Sequence, residues 1–182
     1  MESDTSDNTA ITFRRPQLED GLKIHRLISE SPPLDLNSSY LYFLQSSHFA
    51  DTCVLAETSD GLLGFVSGYL RPDQTDQLFV WQLVVAEQGR GKGVAKGLIT
   101  QLLKQANQFS AQPLRSISCT ISPSNHASQG VFRSLAKSFG LQLETRPFLS
   151  EAHFGGQAHE AEDYYVLTAP HHQNLTEYLT FN

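Results

Sequence analysis

Leu78-Phe79-Val80-Trp81-Gln82-Leu83-Val84-Val85-Ala86-Glu87-Gln88-Gly89-Arg90-Gly91-Lys92-Gly93-Val94-Ala95-Lys96-Gly97-Leu98-Ile99 decides the reading of this chain. Its opening run, Leu78 to Val85, is apolar and β-rich and reads as a strand. Gly89, Gly91 and Gly93 follow at alternate positions, and Val94, Leu98, Ile99, Leu102 and Leu103 then recur at helical spacing. A strand thus runs into a glycine turn, and the turn opens a helix. The first N–H groups of a helix have no intrahelical partner and share its positive dipole end, and glycine lets backbone approach closely, so this turn suits a phosphate.

Spacing separates the phosphate-binding motifs that use such a turn. A Walker A loop needs Ser or Thr after its lysine, whereas Lys92 is followed by Gly93, which disfavours an NTPase. Gly91-Lys92-Gly93 with Gly97 resembles a dinucleotide fingerprint, yet it lies halfway along the chain after antiparallel strands, and no acid stands about 20 residues on. A glycine-rich surface turn with solvated charges is the plain alternative.

Outward from this segment the chain alternates strands and helices. Ala10 to Arg15 alternates as a half-buried strand, and Pro16 suits the start of a helix carrying Leu18, Leu22, Leu27 and Ile28 on one face. Pro32-Pro33 stops that helix, and Asn37 or Ser38 caps a short second one around Tyr40, Leu41, Phe43 and Leu44. Thr52 to Glu57 and Leu62 to Tyr69, joined by Ser59-Asp60-Gly61, predict a hairpin. Beyond the glycine turn and its helix come a strand at Ser116 to Ile121, a helix from Pro123 and Asn125 through Phe139 with Gly140 as C-cap, and strands at Leu141 to Phe148 and Asp163 to Thr168. The expectation is α+β: about seven strands and about four helices in one domain over residues 10–169, between tails at 1–9 and 170–182.

Composition narrows the function classes. At 182 residues, 40% of them hydrophobic and 18% charged, the chain can build one packed core. No run approaches the roughly 20 apolar residues of a membrane span, and Met1 to Thr9 lacks the basic start and apolar run of a secretory signal. Cys53 and Cys119 lie in apolar strands without Cys-x-x-Cys spacing, as reduced core residues of a cytoplasmic protein would. A net charge of -6 offers nucleic acid no general attraction, so an anionic ligand must be held locally. Seven histidines invite a metal reading, but their spacing gives no convincing ligand set, and no metal is expected.

Gln88-Gly89-Arg90-Gly91-Lys92-Gly93 resembles the pyrophosphate-binding motif of the GNAT superfamily: Gln or Arg, two residues, Gly, one residue, then Gly or Ala. The resemblance implies an α/β/α layered GNAT fold, an N-acetyltransferase, and acetyl-CoA held by Gln88 to Gly93 with the first helical residues Val94 and Ala95. It also implies pantetheine and oxyanion contacts from the backbone of Leu83, Val84 and Val85. Asn125-His126-Ala127-Ser128 stands where the family places Asn and a small residue beside the pantetheine arm, so Asn125 and Ser128 join the cofactor set; Asn125 equally suits a simple N-cap. Where many relatives carry a tyrosine that protonates the leaving thiolate, this chain has Phe132. In such enzymes the amine attacks the thioester directly. An alkyl ammonium, with a pKa of about 10.4, must first lose a proton, a task for a nearby acid residue acting as base.

From about Phe13 to Thr168 the chain is similar to one branch of that superfamily, the L-2,4-diaminobutyrate acetyltransferases of ectoine synthesis. Leu34-Asp35-Leu36-Asn37-Ser38-Ser39-Tyr40, His48-Phe49, Gly64-Phe65-Val66-Ser67-Gly68-Tyr69, Phe79-Val80-Trp81-Gln82 and His159-Glu160-Ala161-Glu162 carry the likeness. It implies transfer of acetyl to the γ-amine, with Asp35, Asn37, Tyr40, Trp81, His159, Glu160 and Glu162 around the substrate, Asp35, Glu162 and Trp81 at the chemistry, and a homodimer. Read as residues alone, the acids are more often solvated loop charges than bases, and Trp81 is a core aromatic as readily as a wall of the site. A GNAT acting on another small amine, such as a polyamine, aminoglycoside or peptide N-terminus, and a CoA-binding module without catalysis are the alternatives.

Overall fold

The Ser59-Asp60 turn folds as its composition asks. Strands β2 (Cys53–Thr58) and β3 (Gly61–Leu70) pair antiparallel with Thr58 opposite Gly61, and Gly61 takes φ 135°, a conformation glycine tolerates. The short β1 (Thr12–Arg14) covers the free edge of β2, and β4 (Gln77–Val85) pairs antiparallel with β3. In this computed structural model, which describes residues 10–181, β5 (Ser116–Ile121), β6 (Gln142–Leu149) and β7 (Glu162–Thr168) complete a mixed seven-stranded sheet of order β1-β2-β3-β4-β5-β7-β6. The tail expected over residues 1–9 lies outside the described residues.

Two irregularities in β4 set the shape of the molecule. Ser67 faces Gln82 and Gly68 faces Val80, so Trp81 is an extra residue bulged out of the β3–β4 ladder. The bulge inverts the alternation: Leu78 and Val80 before it, and Leu83 and Val85 after it, face the same apolar cluster, while Val84 turns to the opposite one. On its other side β4 runs parallel to β5 through only three residue pairs, Gln77 with Ser116, Leu78 with Ile117 and Phe79 with Ser118. Beyond Phe79 the two strands have no registered pairs, and a wedge opens between them.

Helices close both faces. Helix α3 (Val94–Phe109) buries Leu98, Ile99, Leu102 and Leu103, and α4 (His126–Phe139) buries Phe132, Leu135, Ala136 and Phe139, all in one cluster with β5 and β7. On the opposite face α1 (Gly21–Ser29) and α2 (Ser39–Gln45) lay Ile24, Leu27, Ile28 and Tyr42 on Cys53, Leu55, Phe65 and Val84. Leu18 and Leu22, expected on the buried face of the first helix, are exposed. The helix begins only at Gly21, after a 3-10 turn over Leu18–Asp20 that shifts the phase; that turn buries Asp20, whose carboxylate meets Arg14 at 2.6 Å. Residues 170–182 were expected as a tail, but they carry a fifth helix, α5 (Leu175–Phe181), seated by the fully buried Leu175, whose N–H donates to the Leu114 carbonyl at 2.7 Å.

The bulge needs a glycine opposite it. A Cβ added at Gly68 would lie 2.5 Å from the Phe79 carbonyl oxygen, a backbone atom that cannot swing aside. Gly68→Ala is expected to lower stability by about 1–3 kcal/mol, the usual range for overpacking, read as a lower urea midpoint at unchanged slope.

Candidate active site

The wedge becomes a cavity of about 890 Å³, walled by β4 from Val80 onward, by β5 from Cys119 onward, by the start of α4, by the α1–α2 loop and by the β6–β7 loop. One end meets the glycine turn. Gly91 and Gly93 take φ 73° and 74°, left-handed values that disfavour other residues, and Gly93 is the N-cap of α3. The α3 ladder begins where the Gly97 N–H donates to the Gly93 carbonyl at 2.9 Å, so the preceding amides belong to the open helix end. Arg90 lines the cavity directly, with Leu83, Val84 and Val85 along its β4 wall. Gln88, Gly89, Lys92, Val94 and Ala95 form the rest of the turn and first helical residues, adjoining Arg90 and the open helix end.

At the start of α4 Asn125 is the N-cap: its side-chain oxygen accepts from the Ser128 N–H at 3.0 Å. Both residues also line the cavity, so capping and lining coincide there. Phe132, on the same helix, is buried and forms part of the wall, offering no proton where a tyrosine could.

The acceptor end brings together most of the remaining candidates. Trp81, bulged and 50% exposed, lines the cavity and is no core aromatic. Asp35 carries a side chain 87% exposed, while its main-chain carbonyl accepts from Gln82 Nε2 at 2.8 Å. His159 stacks on Phe154 with ring centroids 3.9 Å apart, holds its Nδ1 2.8 Å from the Glu160 carbonyl, and points Nε2 toward Asp35 Oδ2 at 3.9 Å. With Nδ1 donating to that carbonyl, Nε2 is the ring atom left to serve the cavity. Tyr40 departs from expectation: it is 69% exposed on α2 and is no part of the wall. The residue two places on, Tyr42, is the buried one, and its hydroxyl receives the N–H of Asn37, which does line the cavity.

The two glutamates before and at the start of β7 have opposite environments. Glu160 is fully exposed and accepts from the Ser124 hydroxyl at 2.5 Å and the Ser124 N–H at 3.1 Å; these bonds hold its carboxyl below the usual range. It anchors the β6–β7 loop to the start of α4. Glu162 has its proton affinity raised, first by burial and further by the charges of Asp35 and Glu160, against the hydrogen bond from Thr120 and the proximity of His159. A carboxylate made more basic beside a cavity is suited to accept a proton.

Sequence reading missed Gln82, Tyr42 and Thr120. Gln82 is buried, lines the cavity and leaves its Oε1 without a partner among the described residues. Thr120 was detectable: Ser116, Ser118 and Thr120 alternate with Ile117, Cys119 and Ile121, which marks a polar strand face opposite the core. Gln82 was hidden by the bulge, which inverts the alternation of β4 just before it.

The Acetyltransferase (GNAT) family matches residues 22–136. The L-2,4-diaminobutyric acid acetyltransferase of Vibrio cholerae serotype O1 is 45% identical over 154 residues, covering 84% of this chain and 87% of that protein. Its counterpart in Methylotuvimicrobium alcaliphilum is 42% identical over 159 residues, covering 86% and 91%. The solved structure of diaminobutyrate acetyltransferase EctA from Paenibacillus lautus, in complex with its substrate L-2,4-diaminobutyric acid and coenzyme A, is similar with a TM-score of 0.78 and 35% identity, covering 88% of this chain and 95% of that one. Likeness at this level extends well past the glycine turn, through both walls of the wedge: the chain belongs to the acetyltransferase (GNAT) family, in the branch of the L-2,4-diaminobutyric acid acetyltransferases.

Proposed function

We propose that the protein transfers acetyl from acetyl-CoA to the γ-amine of L-2,4-diaminobutyrate by direct attack, giving the N-γ-acetyl product used in ectoine synthesis. The observation that carries this reading is the two-ended wedge, with backbone N–H groups of a helix terminus at one end and ionisable acids at the other. Coenzyme A fits the first end through its pyrophosphate, and its pantetheine arm runs between β4 and β5 as a strand would. Beyond Phe79 the edge of β4 facing β5 has no strand partner, so amides near Leu83 to Val85 are available to the pantetheine arm and to the oxygen of the attacked thioester.

At the other end Glu162 takes the proton from the γ-ammonium, whose nitrogen lone pair then attacks the thioester carbon. The carbon–sulfur bond breaks, the second proton of the attacking nitrogen passes to the departing thiolate directly or through water, and that thiolate needs little further help, since thiols ionise near a pKa of about 8.5. Phe132 therefore costs the reaction little. Asp35 and His159 hold the second ammonium and the carboxylate of the amino acid, Asn37 and Glu160 shape the loops around them, and Trp81 walls the short methylene chain. The EctA structure, in complex with diaminobutyric acid and coenzyme A, supports this pair of substrate and cofactor.

We further propose that the enzyme works in the cytoplasm, where acetyl-CoA is at hand and the free buried thiols of Cys53 and Cys119 stay reduced, in the service of osmoprotection. A homodimer is proposed on the face of β5, β7 and β6, where Phe148 is exposed and β6 offers a free edge.

Mass spectrometry of products from acetyl-CoA with a panel of diamines tests the assignment. Diaminobutyrate is expected to be acetylated on the γ-nitrogen alone, with ornithine slower by about 10-fold or more because one added methylene disturbs alignment. Equal or better turnover of ornithine or putrescine, or acetyl on the α-nitrogen, would refute the substrate while leaving the family in place. Absence of turnover with any amine would favour a CoA-binding module.

At the other end, Gly91→Glu is expected to abolish acetyl-CoA binding in calorimetry, because it forces a side chain into a left-handed position and sets a negative charge at the helix terminus. Gly91→Ala, which introduces the strain alone, should weaken binding far less.

The two acids should separate kinetically. Glu162→Gln is expected to lower kcat by about 100-fold or more and to remove the acidic limb of the pH profile, whereas Asp35→Asn raises KM for the amine with a smaller change in kcat.

A further inference from the structure

The polar face of β5 ends on a residue whose hydroxyl the fold does not otherwise need. Ser116 accepts from Gln77 Nε2 at 2.8 Å, and Ser118 donates to Gln77 Oε1 at 2.9 Å and accepts from the Tyr164 hydroxyl at 3.0 Å. The same network draws in Arg71, which reaches both Tyr164 and Gln77. These contacts lock the closed end of the wedge, where β4 and β5 still pair. Thr120 stands one alternation further on, past the last β4–β5 pair, and lines the cavity. Its register partner on β7 is Tyr164, which puts Thr120 and Glu162 diagonally across the two strands on one face. On that face the Thr120 hydroxyl is a neighbour of the Glu162 carboxylate and favours its charged form.

We propose that Thr120 is a positioning residue for the base: its hydroxyl donates to one carboxylate oxygen of Glu162 and fixes the side chain so that the other oxygen faces the attacking amine. The inference rests on the assignment of Glu162 as base made above. A carboxylate is acceptor-only and a threonine hydroxyl has one proton, so the donor in this pair is Thr120 for as long as Glu162 is ionised. When Glu162 takes the proton from the ammonium, the Thr120 bond must weaken, because it favours the charged form. Thr120 thus opposes the effect of burial on Glu162.

The groups around Glu162 are Asp35 from the α1–α2 loop, His159 and Glu160 from the β6–β7 loop, and Thr120 from β5, with the Cys119 thiol on the core face of the same strand. Replacing Thr120 leaves the others in place, so the direction of the effect is set. Without the hydroxyl the protonated carboxyl is favoured, and the acidic limb of kcat/KM moves to higher pH.

The test compares Thr120→Val, Thr120→Ser and Glu162→Gln in the full-length enzyme with acetyl-CoA and diaminobutyrate. Thr120→Val is expected to raise the acidic limb and lower kcat by about 10-fold through lost alignment, with acetyl-CoA affinity unchanged by calorimetry. Thr120→Ser, which keeps the hydroxyl, should return the limb to its original pH. A purely structural threonine would move neither the limb nor its rescue. If Thr120→Val leaves the limb in place while Glu162→Gln removes it, the base stands and the positioning role of Thr120 is overturned. If Glu162→Gln keeps the limb, the base assignment falls and this inference falls with it. Should Thr120→Val not fold, Thr120→Ala gives the same readout.

Discussion

Everything at the site depends on β4 and β5 pairing through three residues and then parting. Unpaired strand edges inside a protein are costly, since each buried N–H or C=O without a partner loses about 1–3 kcal/mol. A parted pair of strands therefore survives only if its closed end is held firmly and its open end meets a ligand or water. Here the closed end is locked by Gln77, Ser118, Tyr164 and Arg71. The Trp81 bulge lies just past the last pair, adding the local twist that carries β4 away. The backbone groups that give binding capacity are thus the ones the sheet leaves unpaired.

The charge of the molecule is arranged along the same wedge. A protein of net charge -6 that takes up a polyanionic ligand cannot rely on a general field, and the glycine turn replaces it with backbone amides at a helix end. Acids gather at the far end, which on the proposed reading receives the ammonium substrate and lies a wedge's length from the phosphates. Glu160 and Glu162 show how finely this is graded. Two residues apart, one is exposed and committed to Ser124, the other half-buried and made more basic. Only Glu162 lies within the sheet, and Glu160 stands in the loop before it.

Much of this was legible in the order of residues. The strand, glycine turn and helix, the hairpin at Ser59-Asp60 and all seven strands follow from short-range rules of spacing and turn chemistry. So does the sorting of Asn125 to a helix start. What escaped depends on longer range. The bulge at Trp81 is invisible in a run of apolar residues, and Gln82 lines the cavity just past it. Tyr40 and Tyr42 are equivalent by composition, and only the seating of α2 on the sheet decides that Tyr42 is buried beside Asn37. The phase of α1 shifted because Asp20 found Arg14, a pairing across β1 that no helical periodicity contains. Residues 170–182 looked like a tail because the partner of Leu175, the Leu114 carbonyl, is far away in sequence.

Phe132 and Thr120 together suggest how the chemistry is divided between the two walls. The α4 wall contributes an apolar, buried ring, which on the proposed reading keeps water from the reacting thioester and strengthens nearby electrostatic interactions. A tyrosine there would bring a proton donor to a leaving group that barely needs one, at the cost of a polar group to satisfy in a dry place. On the proposed reading the β5 and β7 wall supplies the proton acceptor, because the ammonium is the partner that cannot react unaided. A base buried enough to be basic tends to be protonated before its substrate arrives, and a hydrogen bond to its charged form opposes that tendency without adding a second charge. A hydroxyl serves this better than a lysine or arginine would, since a fixed cation beside Glu162 would lower its basicity more and repel the incoming ammonium.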